Sequence, residues 1–548
     1  MEPNLLVVAG AGAVFGLLAH WFWFIRGEHM KWIRPYALTI IFGPGLAAAG
    51  LCHYLDLTFL RACLTVLVAI VPFCATLFSS IAIYRLYFHP LRNFPGPPAA
   101  RLTQFAHVRE VAAKCDNFRH LDKLHAQYGE YVRAGPNLLS IADPDWVEPV
   151  HKAQTKFEKS EWYDGGYPMT TLHQMRDKAM HDRRRRHGWD QAFTTKSLRA
   201  YDSRLIKYAD TLVDQIRKRS GEVVNGTSWL NYLAFDVMGD MAFGRSFEAL
   251  EKGESHFYID LIHNSAHLIG MLGTVSWILQ VLRLFPISWT AGGRMLLYSE
   301  QCVDERRKYE PKEPDVMSHI FAAGDFFKGD KKMERLLLMG DSRLLIVAGS
   351  DTTATTLIYL FYHLAKDPSL VEKLRAELKE KNIENNESLS VSALQYVDYL
   401  NALINETLRM HPPVPGGVSR LTPRDGVVIN GQHLPGGVQI IGPHYTIQRS
   451  PRAFVKPNEF IPERWTTKPE LILNKNAFFP FSIGKFSCIG KQFALNELRT
   501  VVTKMVLEFD VAFAPGEDGT KLLTESKDVF TMSNAELRLI WTERTKKD

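Results

Sequence analysis

Cysteine is scarce in this chain. Its 548 residues carry six, at positions 52, 63, 74, 115, 302 and 488. No two stand at the close spacing of a zinc or iron–sulfur site. The same scatter excludes a disulfide framework, and a reducing compartment suits the thiols. Neither sign of charge is in strong excess, and a formal net charge of +6 makes no case for a nucleic-acid partner. The chain also lacks internal repeats and long low-complexity tracts, which sets aside solenoids and disordered arrays. Length alone would permit several domains, but the motifs point to one large catalytic domain behind a membrane region.

Long apolar runs, by contrast, crowd the first ninety residues. Residues 5–25, 36–55 and 62–84 each come near the length that crosses the hydrocarbon core as a helix. The first is longer than the apolar part of a signal peptide and has no basic residues before it, so it reads as an anchor. Arg26, Lys31 and Arg34 follow the first run, Arg61 alone follows the second, and Arg85, Arg92 and Arg101 follow the third. The positive-inside rule then places the first loop and the C-terminal bulk in the cytosol, with the N-terminus opposite. Three spans meet that topology. A single span, with the other runs lying in the interface or against protein, meets it too, and Gly43, Pro44 and Gly45 interrupt the second run. Phe94, Pro95, Gly96, Pro97 and Pro98 cannot continue a helix and read as a stiff hinge. The expected division is a membrane region over 1–92, a hinge over 93–100 and a catalytic domain over 101–548.

The most specific pattern lies near the C-terminus. Phe481, Gly484, Cys488 and Gly490 precede a run with apolar Phe493, Ala494, Leu498, Val501, Val502, Met505 and Val506 at helical spacing. Given 32 Phe, 37 Gly and 6 Cys, chance produces this spacing with an expectation on the order of 10⁻³. A lone cysteine is most often a buried small hydrophobe. At the start of a helix, however, free N–H groups and the positive dipole end favour the thiolate. Such a loop presents one axial sulfur to haem iron, and that ligand favours O–O cleavage.

Two further segments suit oxygen chemistry. Residues 336–364 read as a long apolar helix that contains Ala348, Gly349, Ser350, Asp351, Thr352 and Thr353, which is poor helix material. The polar group reads either as an N-cap splitting the run in two or as a proton path inside one helix. In the second reading Asp351 and Thr352 pass protons inward, Gly349 leaves room for a ligand, and hydroxyl back-bonding opens the helix locally. Glu406 and Arg409 share a helix face just before His411, Pro412 and Pro413 end the helix. Glu372 and Arg375 repeat that spacing and read as a surface pair.

Together these segments resemble the cytochrome P-450 family over residues 94–548. The resemblance implies a mainly α fold with small β-sheets, preceded by transmembrane helices. It implies haem b between the helix of residues 348–353 and the Cys488 loop, with Cys488 as the proximal ligand to iron. Phe481 would pack beneath the haem and Gly484 would permit the tight turn. Glu406 and Arg409 would lock to Arg464, after Pro462 and Glu463, in a buried structural network. For the haem carboxylates the resemblance points to Arg186, seven positions before Phe193, and to Arg420. Two positions depart from the family pattern: Phe486 stands where Arg or His is usual, and Asp182 where Trp is usual. Lys485 is the neighbouring cation available to the loop.

The resemblance further implies O₂ as co-substrate and NADPH electrons delivered by a membrane-bound flavoprotein reductase. Lys485 and Lys491, with the basic run 183–186, would offer its docking face. Residues 256–289, rich in Leu, Ile, Trp and Phe, would cap a channel for an apolar small molecule entering from lipid, or form plain helical core. Trp162, Tyr163 and Tyr167 would border the pocket. Residues 231–240 and the several apolar runs look like fungal members of secondary metabolism, in the endoplasmic reticulum membrane with a cytosolic catalytic domain. Two other functions remain open. One is a haem-thiolate isomerase or dehydratase without net oxygen insertion. The other is a non-enzymatic membrane haem or sterol binder, which leaves Asp351 and Thr352 unexplained.

Overall fold

The computed structural model describes residues 3–166, 169–282, 284–286, 290–323, 329–383 and 389–544. Leu5–Ala19 (α1), Ile33–Leu55 (α2) and Phe59–Ile83 (α3) open the chain. A π turn extends α1 to Phe24 and another extends α3 to Phe88. All three helices are long and apolar enough to cross a membrane. Leu6, Phe15, Ile40, Phe42, Phe59 and Phe78 are exposed along them, an outer face that hydrocarbon covers better than water does. Pro44 and Pro72 lie inside α2 and α3 without ending them.

α1 packs closely along α3 because Gly12 and Gly16 present no side chain there. A Cβ at Gly12 would strike the Ala69 carbonyl, and one at Gly16 the Phe73 carbonyl and the Thr76 hydroxyl. Small residues let apolar helices approach in this way. Two polar contacts fix the register: Thr76 Oγ1 donates to the Ala13 carbonyl at 2.9 Å, and His20 and Ser80 are hydrogen-bonded at 2.7 Å.

This N-terminal unit is joined to the body at defined points. Arg176 forms a two-pronged pair with Glu28 at 2.6 and 2.5 Å and also reaches Asp164 at 2.5 Å. The short helix Ile278–Leu282 packs on α2. The proline segment is pinned rather than free: the Arg133 N–H donates to the Pro95 carbonyl at 2.7 Å. Gly96 has φ +154° there, and a Cβ would strike the Arg133 carbonyl.

The body is mainly helical. Its framework comprises Lys178–Arg184 (α4), Gly226–Phe243 (α5), Phe257–Leu272 (α6), Lys331–Lys366 (α7), Asp398–Met410 (α8) and Lys491–Glu508 (α9). Tyr131–Gly135 (β1), Leu138–Ile141 (β2), Ser419–Leu421 (β3) and Gln439–Ile441 (β4) form a sheet in the order β1-β2-β4-β3, with β2 and β4 parallel. A second sheet joins Val223–Asn225, Arg538–Glu543 and Phe509–Phe513. The main core gathers Leu233, Phe235, Leu357, Phe361, Leu403 and Val502, so α5, α7, α8 and α9 share one apolar interior.

α7 spans 36 residues, about 54 Å of helix, and runs unbroken through residues 348–353. Ser350, Thr352 and Thr356 donate their hydroxyls to the carbonyls four residues earlier, at 2.6, 2.7 and 2.9 Å. These polar side chains therefore satisfy themselves inside one helix rather than capping a second.

Because the α1–α3 contact depends on bare backbone, Gly16→Ile is expected to part the two helices at a cost of about 1–3 kcal/mol. Thermal melting in lipid nanodiscs, beside Gly10→Ile, where a Cβ meets nothing within 4 Å, checks this; equal melting of the two variants would refute it.

Candidate active site

The Cys488 loop is shaped by its backbone. The Cys488 N–H donates to the Phe481 carbonyl at 2.8 Å and the Ser487 N–H to the Gly484 carbonyl at 3.1 Å. Gly484 has φ +69°, and a Cβ there would strike the His151 carbonyl, so position 484 takes glycine for conformation and for space. Phe481 packs against the main core, and Gly490 immediately precedes α9. The Cys488 side chain is exposed. Although water can reach the sulfur, the protein around it still desolvates it and pushes the thiol pKa up, while the Gly490 and Lys491 N–H groups and the Arg185 charge pull it down without reversing the shift. Binding to a metal cation would reverse it, since a coordinating thiol is deprotonated.

On α7, Ala348 and Thr352 lie one turn apart on the less covered face, while Ser350, Asp351 and Thr353 are buried. Gly349 does not make room for a ligand, as its sequence context suggested. A Cβ there would sit 2.5 Å from Met238 Sδ on α5. Neighbouring helical residues point about 100° apart, so Gly349 serves the α5–α7 approach and Ala348 is the small residue on the open face. Asp351 turns toward other elements. Its Oδ2 accepts from Thr531 Oγ1 at 3.2 Å, and its Oδ1 lies 3.7 Å from His263 Nε2 on α6. Burial lowers the His263 pKa, but the hydrogen bond and charge of Asp351 outweigh it and leave the value raised.

Glu406 and Arg409 are buried on the inner face of α8. Arg409 donates Nε to Glu406 Oε2 at 2.9 Å and Nη2 to Oε1 at 2.8 Å. Arg464 Nε reaches Oε1 at 2.9 Å, Trp465 Nε1 reaches Oε2 at 2.9 Å, and the Ile461 N–H donates to Oε1 at 3.0 Å. The Glu372/Arg375 copy behaves differently from the surface pair expected. Arg375 donates to Asp510 at 2.7 Å and to the Val506 and Phe509 carbonyls, because its side chain crosses to the end of α9 rather than back along its own helix.

Cations gather beside the Cys488 loop. After α4 the chain makes a π turn, Arg185–Trp189, which fits an extra residue into one turn. Counting seven positions back from Phe193 at α-helical pitch therefore selects the wrong side: Arg186 is exposed. Arg185 faces the loop instead, donating Nη1 to the Lys485 and Ser487 carbonyls at 3.2 Å each and Nε to Asp190 at 2.9 Å. Arg184 pairs with buried Asp341 on α7. Arg420, buried on β3, donates Nη1 to Tyr163 Oη at 3.1 Å and to the Ser419 carbonyl at 2.9 Å.

Several buried nitrogens in this region lack partners: the guanidinium donors Arg420 Nε and Arg184 Nη1, and on imidazoles His173 Nε2 and both ring nitrogens of His444. Burial and the adjacent positive charge hold His173 and His444 at a pKa of about 3. The two unpaired guanidinium N–H groups of Arg184 and Arg420 call for an anion. A haem brings two carboxylates, and Cys488 brings the thiolate, so the residues present fit that group.

The aromatic border is partly assembled. Trp162 donates Nε1 to the Gly273 carbonyl at 2.8 Å and stacks on Phe530 with ring centroids 5.5 Å apart. Tyr163 is fully buried against Arg420, and Tyr167 lies outside the described residues. In the 256–289 region Ile269, Met271 and Trp277 are exposed, while 283 and 287–289 lie outside the described residues.

The cytochrome P450 family model matches residues 95–541. The chain belongs to the cytochrome P450 family. It is 41% identical over 470 residues to the cytochrome P450 monooxygenase lcsK of Purpureocillium lilacinum, covering 85% of each chain. It is 37% identical over 541 residues, 97% of each chain, to the cytochrome P450 monooxygenase notG' of Aspergillus versicolor. Tryprostatin B 6-hydroxylase of Aspergillus fumigatus is 33% identical over 554 residues, covering 99% of this chain and 97% of that protein. The crystal structure of the cytochrome P450DA heme domain shares the fold, with a TM-score of 0.66 at 18% identity over 82% of this chain and 98% of that one. This protein is a cytochrome P450 monooxygenase with the mainly helical haem-domain fold, and the family implies a haem-thiolate centre.

Sequence reasoning passed over Lys159, His263 and Thr531 in this P450. None lies in a spaced motif, and each acquires a partner more than ten residues away only through folding. Arg185 was visible in the basic run, but only the π turn distinguishes it from Arg186.

Removing Glu406 leaves two guanidinium groups buried without their carboxylate. Glu406→Ala is expected to cost about 3–5 kcal/mol, measured as loss of folded, haem-retaining protein. A melting temperature equal to that of the wild type would contradict the network's role.

Proposed function

We propose that the chain is a membrane-bound monooxygenase of fungal secondary metabolism that hydroxylates or otherwise oxidises an apolar small molecule. The observation that carries this reading is the Cys488 loop, with its exposed thiol, together with buried Arg184 and Arg420 that each keep an unpartnered guanidinium N–H, in a chain of the cytochrome P450 family. The fungal relatives, including one named for hydroxylating tryprostatin B, support the metabolic setting.

Haem, when bound, supplies the iron at which dioxygen is activated. Cys488 would supply the thiolate that holds the iron, and Arg185 and Arg420, with the unpartnered N–H of Arg184, would hold the haem carboxylates. Thr352 holds its hydroxyl on the open face of α7, bonded to Ala348, where it can rotate to orient a water or the bound gas. Asp351, reached from the α6 side through His263 and from Thr531, passes protons toward Thr352 by side-chain rotation. The Trp162–Phe530 stack walls the apolar entrance and limits water.

Residues 1–92 are a membrane region of three spans, the proline segment 93–100 orients the domain, and residues 101–548 form the catalytic unit. The catalytic domain lies on the cytosolic side of the endoplasmic reticulum membrane. A membrane-bound reductase supplies NADPH electrons at the basic face that includes Lys485 and Lys491. The apolar rim of α6 and Ile278–Leu282, the latter packed on α2, suits a substrate that arrives through lipid.

Reduced membranes carrying the wild type are expected to give a strongly red-shifted Soret band with CO, absent in Cys488→Ala. Haem binding without that shift in well-expressed protein would sink the thiolate assignment. Once a substrate is found, Asp351→Asn should lower product formation by about 10²-fold while NADPH consumption continues. Unchanged product per NADPH would remove Asp351 from proton delivery, and turnover without NADPH would favour an isomerase.

A further inference from the structure

A cavity lies away from the Cys488 loop, where the C-terminal end of α7 meets the end of α8 and the segment 445–460. It encloses about 660 Å³, within the range of small-molecule sites. Tyr359, His363 and Lys366 line it from α7. They stand seven to fourteen residues past Thr352, and so about 10–21 Å further along the helix. No residue assigned above to haem, proton transfer or the aromatic border lines it.

Its walls are flat rings. His411 stacks on Tyr359 with centroids 4.0 Å apart and planes 6° from parallel, and His363 stacks on Phe460 at 3.7 Å. The two imidazoles hydrogen-bond through their Nε2 atoms at 3.0 Å. Burial, the largest cause, holds both pKa values well below the ordinary histidine range, so these rings are neutral and satisfy each other at Nε2.

The permanent cations are less well provided. Arg119, Lys366 and Arg449 line the cavity, and none of the three has a carboxylate partner among the described residues. The cavity's own acids are committed elsewhere. Asp367 caps the helix Pro368–Glu380 by accepting from the Ser369 N–H at 3.1 Å, and Glu459 pairs with Lys456 at 3.1 Å. Arg119 donates to the Ser526 and Leu523 carbonyls at 2.9 and 2.5 Å, and Lys366 to the Tyr362 hydroxyl at 3.3 Å. Those acceptors are neutral. Arg449 has least of all: its guanidinium lies 3.8 Å from the Tyr445 ring centroid, and its buried Nη1 has no hydrogen-bond partner. Burial lowers its pKa to about 10 against the opposing pull of Tyr445 and Asp122. Asp122 itself accepts from Thr446 Oγ1 at 2.9 Å. A guanidinium stacked on a ring keeps its N–H groups in its own plane, directed past the ring edge, which is the geometry that meets a carboxylate.

We propose that this cavity is a second binding site, for a small planar aromatic carboxylate whose anionic end meets Arg449 and Lys366 and whose ring lies among Tyr359, Tyr362 and Phe460. Occupancy braces the support behind the Cys488 loop, because Gln448, next to Arg449, holds the Leu408 and Arg409 carbonyls and the Phe479 N–H.

The test uses purified full-length protein in lipid nanodiscs, with naphthoate as the probe and naphthamide as its neutral counterpart. Affinity is read by titration calorimetry and stability by thermal melting, in the wild type, Lys366→Glu and Arg449→Gln. The wild type should bind naphthoate at least about tenfold more tightly than naphthamide, the equivalent of ~1.4 kcal/mol, and should melt higher in its presence. Lys366 is exposed, so its variant should fold normally and bind naphthoate at least about tenfold more weakly, through reversal of one charge. Arg449→Gln should abolish both the binding and the rise in melting temperature. Equal affinity for the acid and the amide, or no binding of naphthoate at millimolar concentration, would overturn the proposal. Naphthoate binding that persists unchanged in both variants would place the probe elsewhere, the haem pocket included, and would overturn it too. If Arg449→Gln fails to accumulate, Lys366→Glu decides, and unchanged affinity there overturns the site. These readouts need no haem, so a failure of the haem reading leaves the proposal to stand or fall on its own.

Discussion

One buried carboxylate holds the proximal half of this protein together. Glu406 accepts from Arg409, Arg464, Trp465 and the Ile461 backbone. Arg409 then spends its remaining donors on the Gln448, Pro457 and Glu459 carbonyls. Gln448 in turn binds the Leu408 and Arg409 carbonyls and accepts from the Phe479 N–H at 3.3 Å. Phe479 lies two residues before Phe481, whose carbonyl receives the Cys488 N–H. The position of the thiol is thus set by a chain of charge-assisted and backbone hydrogen bonds that begins at α8. Such a network is rigid because its polar centre, Glu406, Arg409, Arg464 and Gln448, is buried and satisfied.

The opposite condition holds on the other side of the same loop. There the buried side chains are Lys159, Arg184 and Arg420, and Arg184 Nη1 and Arg420 Nε have no partner. A satisfied network and an unsatisfied one stand on either side of Cys488. The first sets geometry without help. The second is complete when an anionic group enters, so cofactor binding contributes to folding stability by mass action. On the proposed function the two arrangements divide the labour of the site: one would position the Cys488 sulfur, and the other would recognise the anionic part of the group it holds.

α7 carries a comparable division along its length. Its open face shows Ala348 and Thr352, Gly349 meets Met238 of α5, and Asp351 faces α6 and the C-terminal hairpin. One helical turn therefore meets three surroundings at once, because rotation of about 100° per residue sends neighbours to different faces. The anchoring helices connect to the same region through Glu28 and Arg176, and Arg176 also holds Asp164 beside Trp162 and Tyr163. The membrane region and the aromatic border are thereby mechanically joined.

Local spacing was sufficient for much of this. Phe481, Gly484, Cys488 and Gly490 announce the tight loop ahead of α9, the apolar runs announce three long N-terminal helices, and Glu406 with Arg409 share a face on any α-helix. These features depend on residues within one turn or one loop, where covalent geometry limits the outcomes. Tertiary structure alone decided which arginine faces the loop, since a π turn moved that role from Arg186 to Arg185. It alone turned Gly349 toward Met238, paired Arg375 with Asp510, joined Asp351 to His263 and brought Lys159 over Phe486. The physical reason is the same in each case: the energy of a buried charge or a close contact depends on partners that are far away in sequence, and only packing determines which partners arrive.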